Sequence, residues 1–512
     1  MHMAIDPRSP CIVGTARRKW TDATVTPEPL DMWVELARAA ATDASAGAHT
    51  SARPVSLLEA VDDLGLVHSQ SWYYDDPAGR LCERLELSNA RREESILAGT
   101  SPQRLLDGAA VRMLNGETSA ALVVGGEALA ARKMYDRAGE TPPWSHPHPQ
   151  PPTLPVAIDE WYLPTEVAHG VLPAWLTFAL LEQARWAGRG AQRSDRRHMA
   201  SVIDHLNEIA SGNPDAWFTE RRSVGDLTQP GPDNRKIATP YTKRMTAFLD
   251  VDMAAANLMV THEIADLWGV PPERRVYLRG WGFARDAVHL GARDDLGGSQ
   301  GMRTATSEAL SRARLSVDAI DVFDLYSCFA SAVQFAVDAL GLAVDDPRAL
   351  TVTGGLPYHG GPGSNYMSHS ISHLVERLRD RPGQVGLVTG VGMHMTKHVA
   401  AVWSTDPGPI GPIGPVEDPG PQQWVDPAAA PGRGRWTVAE HATGPAAVVA
   451  ATAVHDRPDA EPYVIAICEV DDSTRCYARS SHPDVVAAVA NDSWIGISAH
   501  VEESGPINEL KL

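Results

Sequence analysis

The amino-acid sequence predicts an α/β fold: a core of two similar halves with a helical insertion, followed by a small C-terminal β-barrel. Two stretches, 101–129 and 365–394, each predict a helix followed by a buried strand with glycines near its end. A proline- and glycine-rich stretch, 404–434, separates this core from a run of closely spaced short strands. The repetition indicates a duplicated core, and the short strands indicate a barrel.

The composition limits the functions that this fold can have. The chain has 512 residues, which predicts two or three domains rather than one. With 43% hydrophobic and 21% charged residues, it can bury a large core. The formal net charge of −19 argues against a nucleic-acid binder, because that role needs a basic surface. An anionic ligand would need a local basic patch.

The cysteines and the apolar runs predict the compartment. The five cysteines have no paired spacing that indicates a disulfide framework, and no CxxC motif or His/Cys cluster indicates zinc. The N-terminus has no apolar signal core, and no stretch of about 18 apolar residues is present to span a bilayer. We therefore expect a cytoplasmic protein without a metal, a nucleic-acid partner or a membrane partner.

The two repeated units follow the same plan. Ser101 and Pro102 begin the first helix, since serine caps helices and proline suits the first turn. The buried strand 120–129 follows. In the second unit, apolar residues recur on one face of 365–380, and the strand 385–394 comes next. We interpret the units as a structural duplication with mostly buried strands.

Changes in composition divide the chain into five segments. A proline-rich passage near 141–155 leads into helical patterns, which indicates an inserted lobe. Frequent proline and glycine prevent regular secondary structure in the stretch after the core, which we interpret as a linker. The predicted segments are 1–130 for the first half, 131–240 for the helical insertion, 241–405 for the second half, 406–434 for the linker and 435–512 for an OB-like β-barrel.

Two stretches hold the candidate catalytic residues. Tyr326, Ser327 and Cys328 lie where a predicted strand meets a helix, and ligands bind at such carboxyl ends of strands. The helix N-terminus can lower the pKa of Cys328, and a small buried cysteine is the alternative interpretation. His359 lies in the glycine-rich stretch 353–363, where main-chain amides can approach a ligand and an imidazole can move protons. A turn with an exposed histidine is the alternative there.

These stretches belong to a series of blocks that resembles the thiolase superfamily, in particular the sterol-carrier-protein type thiolases and the thiolase-like protein type 1 group. The resemblance covers roughly residues 8–405, and the type 1 group typically has an additional C-terminal domain. It implies a duplicated, layered αβαβα core. The blocks that carry it, in order, are IVGTARRKW, AGTSPQRLLDGAAVRMLNGETSAALVVGGEAL, LDVDMAAANLMV, DLYSCF, GGLPYHGGPG and LVTGVGM.

The resemblance implies roles residue by residue. In thiolases a cysteine nucleophile takes the acyl group, and a histidine and a second cysteine move protons. His359 matches the histidine, and Cys328 matches the acid/base cysteine of the sterol-carrier-protein type. Other thiolases have their acid/base cysteine at the position of Thr389. The nucleophile position falls at Gly99 or Thr100. A glycine cannot attack, and a threonine is a far weaker nucleophile than a thiolate unless it is activated.

The resemblance also implies a ligand, CoA or an acyl-CoA, that binds without covalent attachment of a cofactor. Tyr326 replaces the usual histidine or asparagine of its block and is the third catalytic candidate. An acidic protein needs local cations to hold the phosphates of CoA, although a solvated pair is the alternative interpretation of the basic residues. The candidate CoA-binding residues are Gly361, Gly363, Ser364, Lys243 and Arg244.

Three functions are consistent with these patterns. The first is an acyltransferase of the acetyl-CoA acetyltransferase type, or another enzyme of lipid metabolism that makes or breaks carbon–carbon bonds in acyl-CoA. The second is a non-catalytic acyl-CoA binder, with a protein partner docked on the barrel. The third is a retro-aldol lyase acting on CoA thioesters, which needs a base and an enolate-stabilising site but no nucleophilic cysteine. The sequence leaves the acyl chain, the reaction direction and the oligomeric state open.

Two further motifs carry weaker hypotheses. The stretch GGSQG (297–301) formally matches the GxSxG motif of hydrolases at Ser299, but polar, turn-like residues precede it in place of a strand. His369 and His373 are four residues apart on a predicted helix and share a face. No carboxylate pattern accompanies them, so we expect a structural or pocket-lining role rather than a metal site.

Overall fold

The computed structural model describes residues 5–46, 54–152, 161–343, 345–408, 436–455, 460–492 and 494–512. Most of the predicted linker, from 409 to 434, therefore lies outside the described residues. Among those described, no helix is long and apolar enough to cross a membrane. The described helices are α1 (Pro29–Ser45), α2 (Pro54–Glu59), α3 (Pro77–Leu85), α4 (Ser101–Asn115), α5 (Leu129–Ala138), α6 (Pro164–His169), α7 (Ala174–Gly188), α8 (Arg193–Gly212), α9 (Val224–Thr228), α10 (His262–Leu267), α11 (Gln300–Ala313), α12 (Ala330–Leu340), α13 (Tyr366–Asp380) and α14 (Pro483–Ala490).

The strands belong to two sheets, one in the core and one in the C-terminal region. They are β1 (Pro10–Lys19), β2 (Asp63–Leu66), β3 (Arg91–Glu94), β4 (Ala120–Ala128), β5 (Lys236–Ala238), β6 (Tyr241–Thr242), β7 (Asp252–Thr261), β8 (Val276–Arg285), β9 (Val322–Asp324), β10 (Val385–Gly392), β11 (Lys397–Ser404), β12 (Thr437–Ala439), β13 (Gly444–Val454), β14 (Tyr463–Glu469), β15 (Thr474–Ser480), β16 (Ser498–Ser504) and β17 (Ile507–Lys511).

The core sheet repeats one topology on both sides of its centre. Its order is β3-β2-β4-β7-β1-β8-β11-β10-β9, and β1 pairs with β8 in the middle. Outward from this pair, β7 and β11 each pair antiparallel with both of their neighbours. The outer pairs are parallel: β4–β2 and β2–β3 in one half, and β10–β9 in the other. The predicted duplication is therefore confirmed.

Helices lie on both faces of each half and complete the layers. Helices α4 and α13, which belong to the two repeated units, contact each other and pack on strands of the core sheet. Helix α1 packs on β1, β4 and β7, and α11 packs on β8 and β11. Strands β4 and β7 are buried along their whole length, which explains their continuous runs of small apolar residues. The predicted αβαβα core is confirmed.

Local sequence explains where the helices of the site begin and end. Helix α4 has Pro102 in its first turn and ends at Gly116, whose φ of 77° is left-handed. Helix α12 ends in the same way at Gly341, with a φ of 68°. Glycine adopts this conformation without the steric penalty of a Cβ. The helix boundaries therefore follow from residues that the sequence shows directly.

Strand β7 differs from the predicted domain boundary. The sequence pattern places 249–260 at the start of the second half, 241–405. The structure instead inserts Asp252–Thr261 between β4 and β1, antiparallel to both. The first half of the sheet thus takes a strand from beyond the helical insertion. This pairing joins residues more than a hundred positions apart, which local periodicity cannot reveal.

The C-terminal region forms a closed five-stranded barrel, which confirms the predicted β-barrel. Strand β13 pairs with β14, β14 with β15, β15 with β17, β17 with β16, and β16 with β13 again. Helix α14 lies between β15 and β16 in the chain. Strand β17 was not predicted, because the five residues INELK are too few to show a clear alternation.

The helical insertion is joined to the barrel by main-chain hydrogen bonds. The hairpin β5–β6 extends the barrel sheet, with Ala238 paired to Val454. The His455 amide donates to the Ile237 carbonyl at 2.8 Å, and the Thr239 amide donates to the carbonyl of Ala453 at 3.0 Å. The barrel therefore shares one hydrogen-bonded sheet with the insertion.

Candidate functional site

The predicted nucleophile position lies in the short loop that leads from β3 into α4. A Cβ built on Gly99 would overlap the Oη of Tyr326 and the carbonyl oxygen of Val391. Real Cβ atoms do not approach other atoms this closely, so this backbone accepts only glycine at position 99. The phenol hydroxyl of Tyr326 occupies the space that a cysteine side chain would need.

Tyr326 is buried, and its phenol hydroxyl lies beside Gly99. Its main-chain amide donates a hydrogen bond to Thr389 Oγ1 at 2.9 Å, so the two positions that the family pattern singles out are in contact. Burial, and next the nearby Cys328, raises the pKa of Tyr326 well above its ordinary value. The hydroxyl therefore stays protonated and can donate to an oxyanion.

Cys328 lies in the same turn, but its environment differs from the expectation. The residue is 9% exposed, and its carbonyl accepts a hydrogen bond from the Ala247 amide at 2.9 Å. Burial raises the pKa of the Cys328 thiol, so the expected lowering by the helix N-terminus is wrong. Desolvation of the thiolate exceeds the favourable field of the helix. Cys328 is a neutral thiol in this structure.

His359 is fully buried, so the alternative of an exposed turn is wrong. Its amide donates to the Gly355 carbonyl at 2.7 Å, and its Nδ1 lies 3.5 Å from Nδ2 of Asn213. Burial, and next Arg17 and Lys19, lowers the pKa of His359 to about 3. The imidazole is therefore neutral at physiological pH and can act as a base.

Tyr366, the first residue of α13, connects these groups. Its ring centre lies 5.5 Å from that of Tyr326 and 6.1 Å from that of His359. Gly99, Tyr326 and His359 thus belong to one continuous, closely packed buried region. No motif marks Tyr366 as a site residue, although its place shortly after the glycine-rich stretch is a usable signal. Cys328 adjoins this region through Tyr326.

The helical insertion covers His359. The Trp217 amide donates to the His359 carbonyl at 2.9 Å, and the Phe218 amide donates to the carbonyl of Tyr358 at 2.9 Å. Asn213 contacts the imidazole from the same lobe. Access to His359 therefore depends on the position of the insertion.

The glycine-rich stretch also contacts the nucleophile loop. Ser364 Oγ accepts a hydrogen bond from the Ala98 amide at 3.1 Å. Gly363 is left-handed, with a φ of 53°, and a Cβ there would overlap Glu127. A Cβ on Gly361 would lie 3.2 Å from a methyl of Leu249. The close packing explains the glycines, and a role of Gly361, Gly363 and Ser364 in CoA binding stays a prediction.

Lys243 and Arg244 lie on a short turn at the surface. Lys243 is exposed, and Arg244 donates through Nη1 to the Asp226 carbonyl at 3.1 Å. The same segment continues to Ala247, which bonds the carbonyl of Cys328. Lys243 and Arg244 thus lie at the surface end of the segment 243–247, and Ala247 at its other end contacts Cys328. Their contact with CoA stays a prediction.

The hydrolase hypothesis for Ser299 is wrong. Its Oγ caps α11 by accepting from the Met302 amide at 2.9 Å, and it donates to Asp286. His398 Nε2 lies 3.2 Å from Ser299 Oγ and 2.9 Å from Asp286 Oδ2. A Ser-His-Asp triad needs the serine and the carboxylate on opposite ring nitrogens, whereas here both contact the same one.

His369 and His373 pack against His359. Their ring centres lie 5.4 and 5.3 Å from that of His359. Within the part of the chain that the structure describes, no group of three or more His, Cys, Asp or Glu side chains is arranged to hold a metal ion. Burial, together with Arg17 and the neighbouring imidazoles, lowers the pKa of both residues well below the ordinary value. The three histidines form a cluster of neutral rings.

This histidine cluster predicts acid lability. A histidine whose pKa falls on folding binds its proton more readily in the unfolded chain, so stability is complete above the unfolded pKa and is lost as pH falls below it. Below about pH 6.5, each such histidine removes about 1.4 kcal/mol per pH unit from the free energy of unfolding. We expect His369→Gln to show a smaller loss of stability on acidification, measured by urea unfolding at about pH 7.5 and about pH 5.5. An unchanged pH dependence, equal to that of the exposed control His500→Gln, would contradict this.

Comparisons with known proteins define the class. A monomeric SCP2-thiolase like protein type 1 from Mycobacterium smegmatis has 29% sequence identity and a TM-score of 0.81, covering 99% of this chain and 100% of that one. Human mitochondrial 3-ketoacyl-CoA thiolase is 15% identical with a TM-score of 0.56, covering 78% of this chain and 99% of that one. The Ltp2-ChsH2(DUF35) aldolase is 14% identical with a TM-score of 0.57, covering 78% and 99%. No family model and no curated protein matches the chain.

These likenesses show a thiolase-type fold. Over 99% of its length the chain is similar to an SCP2-thiolase-like protein.

Proposed function

We propose that this protein is an enzyme that makes or breaks a carbon–carbon bond next to the carbonyl of an acyl-CoA thioester. One observation carries the proposal: the Tyr326 hydroxyl fills the space that a side chain at position 99 would need. The site therefore holds a neutral hydrogen-bond donor where the family has a thiolate. Such a donor stabilises an enolate or another oxyanion.

His359 supplies the base in this proposal. Its imidazole is neutral and lies in the same buried region as Tyr326, with Tyr366 between them. Removal of an α-hydrogen by His359 forms an enolate, and the Tyr326 hydroxyl donates a hydrogen bond to its oxygen. The buried surroundings strengthen this hydrogen bond, because they exclude competing water.

Exchange of the α-hydrogens tests the proposal directly. The wild-type protein is incubated in D₂O with acetyl-, propionyl- and 3-hydroxybutyryl-CoA, and deuterium in the recovered thioesters is measured by mass spectrometry. We expect incorporation faster than in a solution of free imidazole at the same pH. Binding of CoA without any exchange across this series would overturn the proposal.

Two related functions are separated by the same assay. A retro-aldol lyase would release an aldehyde or ketone from a 3-hydroxyacyl-CoA, because cleavage passes through the same enolate. A non-catalytic acyl-CoA binder is supported by the lack of space for a sulfur atom at Gly99, and it would bind CoA without exchange or cleavage. Docking of a partner protein on the C-terminal barrel stays a prediction.

A further inference from the structure

A cavity of about 280 Å³ lies beside the carboxyl ends of β2 and β3, and none of the residues around His359 lines it. Four aromatic side chains form much of its wall: Trp33, Trp72, Tyr73 and Tyr74. An apolar cavity of about 150 Å³ accommodates benzene, so this one has room for a small organic molecule. Of the described residues that line it, Asp75 and Glu94 are carboxylates and none is a lysine or an arginine. The lining is therefore aromatic and acidic.

Three of the four aromatic side chains have their hydrogen-bond donors satisfied by the protein. The indole nitrogens of Trp33 and Trp72 donate to main-chain carbonyls at 3.3 and 2.9 Å. The Tyr74 hydroxyl donates to Glu28 Oε2 at 3.0 Å, which places a carboxylate at the edge of the phenol ring. These side chains therefore offer a ligand ring surface rather than polar atoms. The negative π-electron face of an aromatic ring attracts a cation.

One carboxylate of the cavity is not balanced by an arginine or a lysine. Asp75 accepts two hydrogen bonds from Arg80, at 3.0 and 2.7 Å, and is thus ion-paired. Glu94 is exposed and lies 3.4 Å from Nδ1 of His68. Within the described ranges of the chain, no lysine or arginine contacts the Glu94 carboxylate. A bound cation would be stabilised by this charge at the end of β3.

His68 adds a polar group with an unused atom to the lining. Its Nδ1 contacts Glu94, and its main-chain amide donates to Ser95 Oγ at 3.0 Å. Its Nε2 is buried and has no hydrogen-bond partner in the part of the chain that the structure describes. Buried polar atoms of this kind are rare in folded proteins, and a hydroxyl group on a ligand would satisfy this nitrogen.

We propose that this cavity binds a small organic cation, of the quaternary ammonium or methylated amine class, between the aromatic rings and Glu94. A methylated ammonium group needs few hydrogen-bond acceptors and is stabilised by aromatic faces and by one nearby carboxylate. An anion would be repelled by Glu94, so the cavity does not suit CoA. The inference is therefore independent of the proposed acyl-CoA chemistry, and either can fail without the other.

Calorimetric titration of the full chain at low ionic strength, with choline and with tetramethylammonium, tests the site. We expect both cations to bind, and we expect no binding of dimethylbutanol, the uncharged analogue of choline with carbon in place of nitrogen. Tyr73→Leu removes one ring and should weaken choline binding by about 5–30-fold. Glu94→Gln keeps the size of the side chain but removes its charge, and should weaken choline binding by about 5-fold or more.

A matched control and a second variant keep the test decisive. Glu273→Gln changes an exposed glutamate that does not line the cavity and should bind choline like the wild type. If Tyr73→Leu does not fold, Glu94→Gln still tests the site, because its side chain is exposed. The proposal is overturned if neither cation binds saturably, if the uncharged analogue binds as tightly as choline, or if Glu94→Gln binds choline with unchanged affinity.

Discussion

Replacing His359 with glutamine is expected to lower the rate of acyl-CoA α-hydrogen exchange by about 10²–10³-fold. Glutamine keeps a similar size and a hydrogen-bonding group in the buried site but cannot accept a proton at neutral pH. Burial keeps the His359 ring neutral, so a ring nitrogen has a lone pair that can accept a proton. Deuterium incorporation into acetyl-CoA and the affinity for CoA are measured together, so that loss of chemistry is separated from loss of binding.

The same experiment has a matched control and a second arm. His500→Gln changes an exposed histidine of β16 and should leave exchange unchanged. Tyr326→Phe removes the hydroxyl that faces Gly99 and should cost about 10²–10³-fold, as for an oxyanion-hole donor. If His359→Gln exchanges deuterium as fast as the wild type, this imidazole is not the base.

Restoring a cysteine at position 99 is expected to damage the fold rather than to create a thiolase. The Cβ of Gly99→Cys would overlap the Tyr326 hydroxyl and the Val391 carbonyl. Overpacking of this kind costs about 1–3 kcal/mol, and more where a main-chain atom cannot move. We expect a lower urea midpoint and no thiolysis of acetoacetyl-CoA.

The double variant Gly99→Cys with Tyr326→Ala identifies the cause. Removing the phenol should recover part of the stability, because one of the two overlapping groups is gone. Gly188→Cys, at a helical glycine with no atom within 4 Å of its added Cβ, should leave the midpoint nearly unchanged. Full stability of Gly99→Cys alone would mean that the Tyr326 ring moves away easily.

The elements that carry local signals were predictable from the sequence. The repeated helix–strand units α4–β4 and α13–β10 lie within a few residues of their predicted bounds, because apolar periodicity and terminal glycines mark them. Strand β7 was assigned to the wrong half, since its neighbours are set by pairings across the insertion. Sheet order depends on long-range contacts that no short window contains.

The sequence singled out candidate residues but not their packing or their burial. His359, Tyr326 and the predicted nucleophile position at Gly99 lie in one buried region, and no local pattern indicates the distances between them. The contact between Tyr326 and Gly99 joins positions 227 residues apart in the printed numbering. Burial also reversed the expected pKa shift of Cys328, because the sequence shows the helix N-terminus but not the depth of the thiol.

The hydrogen-bonded ladder between the hairpin β5–β6 and strand β13 has a mechanical consequence. Main-chain hydrogen bonds at Ile237, Thr239 and Ala453 join the barrel to the helical insertion, the lobe that covers His359. A displacement of that lobe would either move the barrel with it or break the hydrogen bonds between β5 and β13. Any movement of the insertion at this hairpin is therefore coupled to the barrel, so a molecule bound to the barrel would also act on the segment that covers His359.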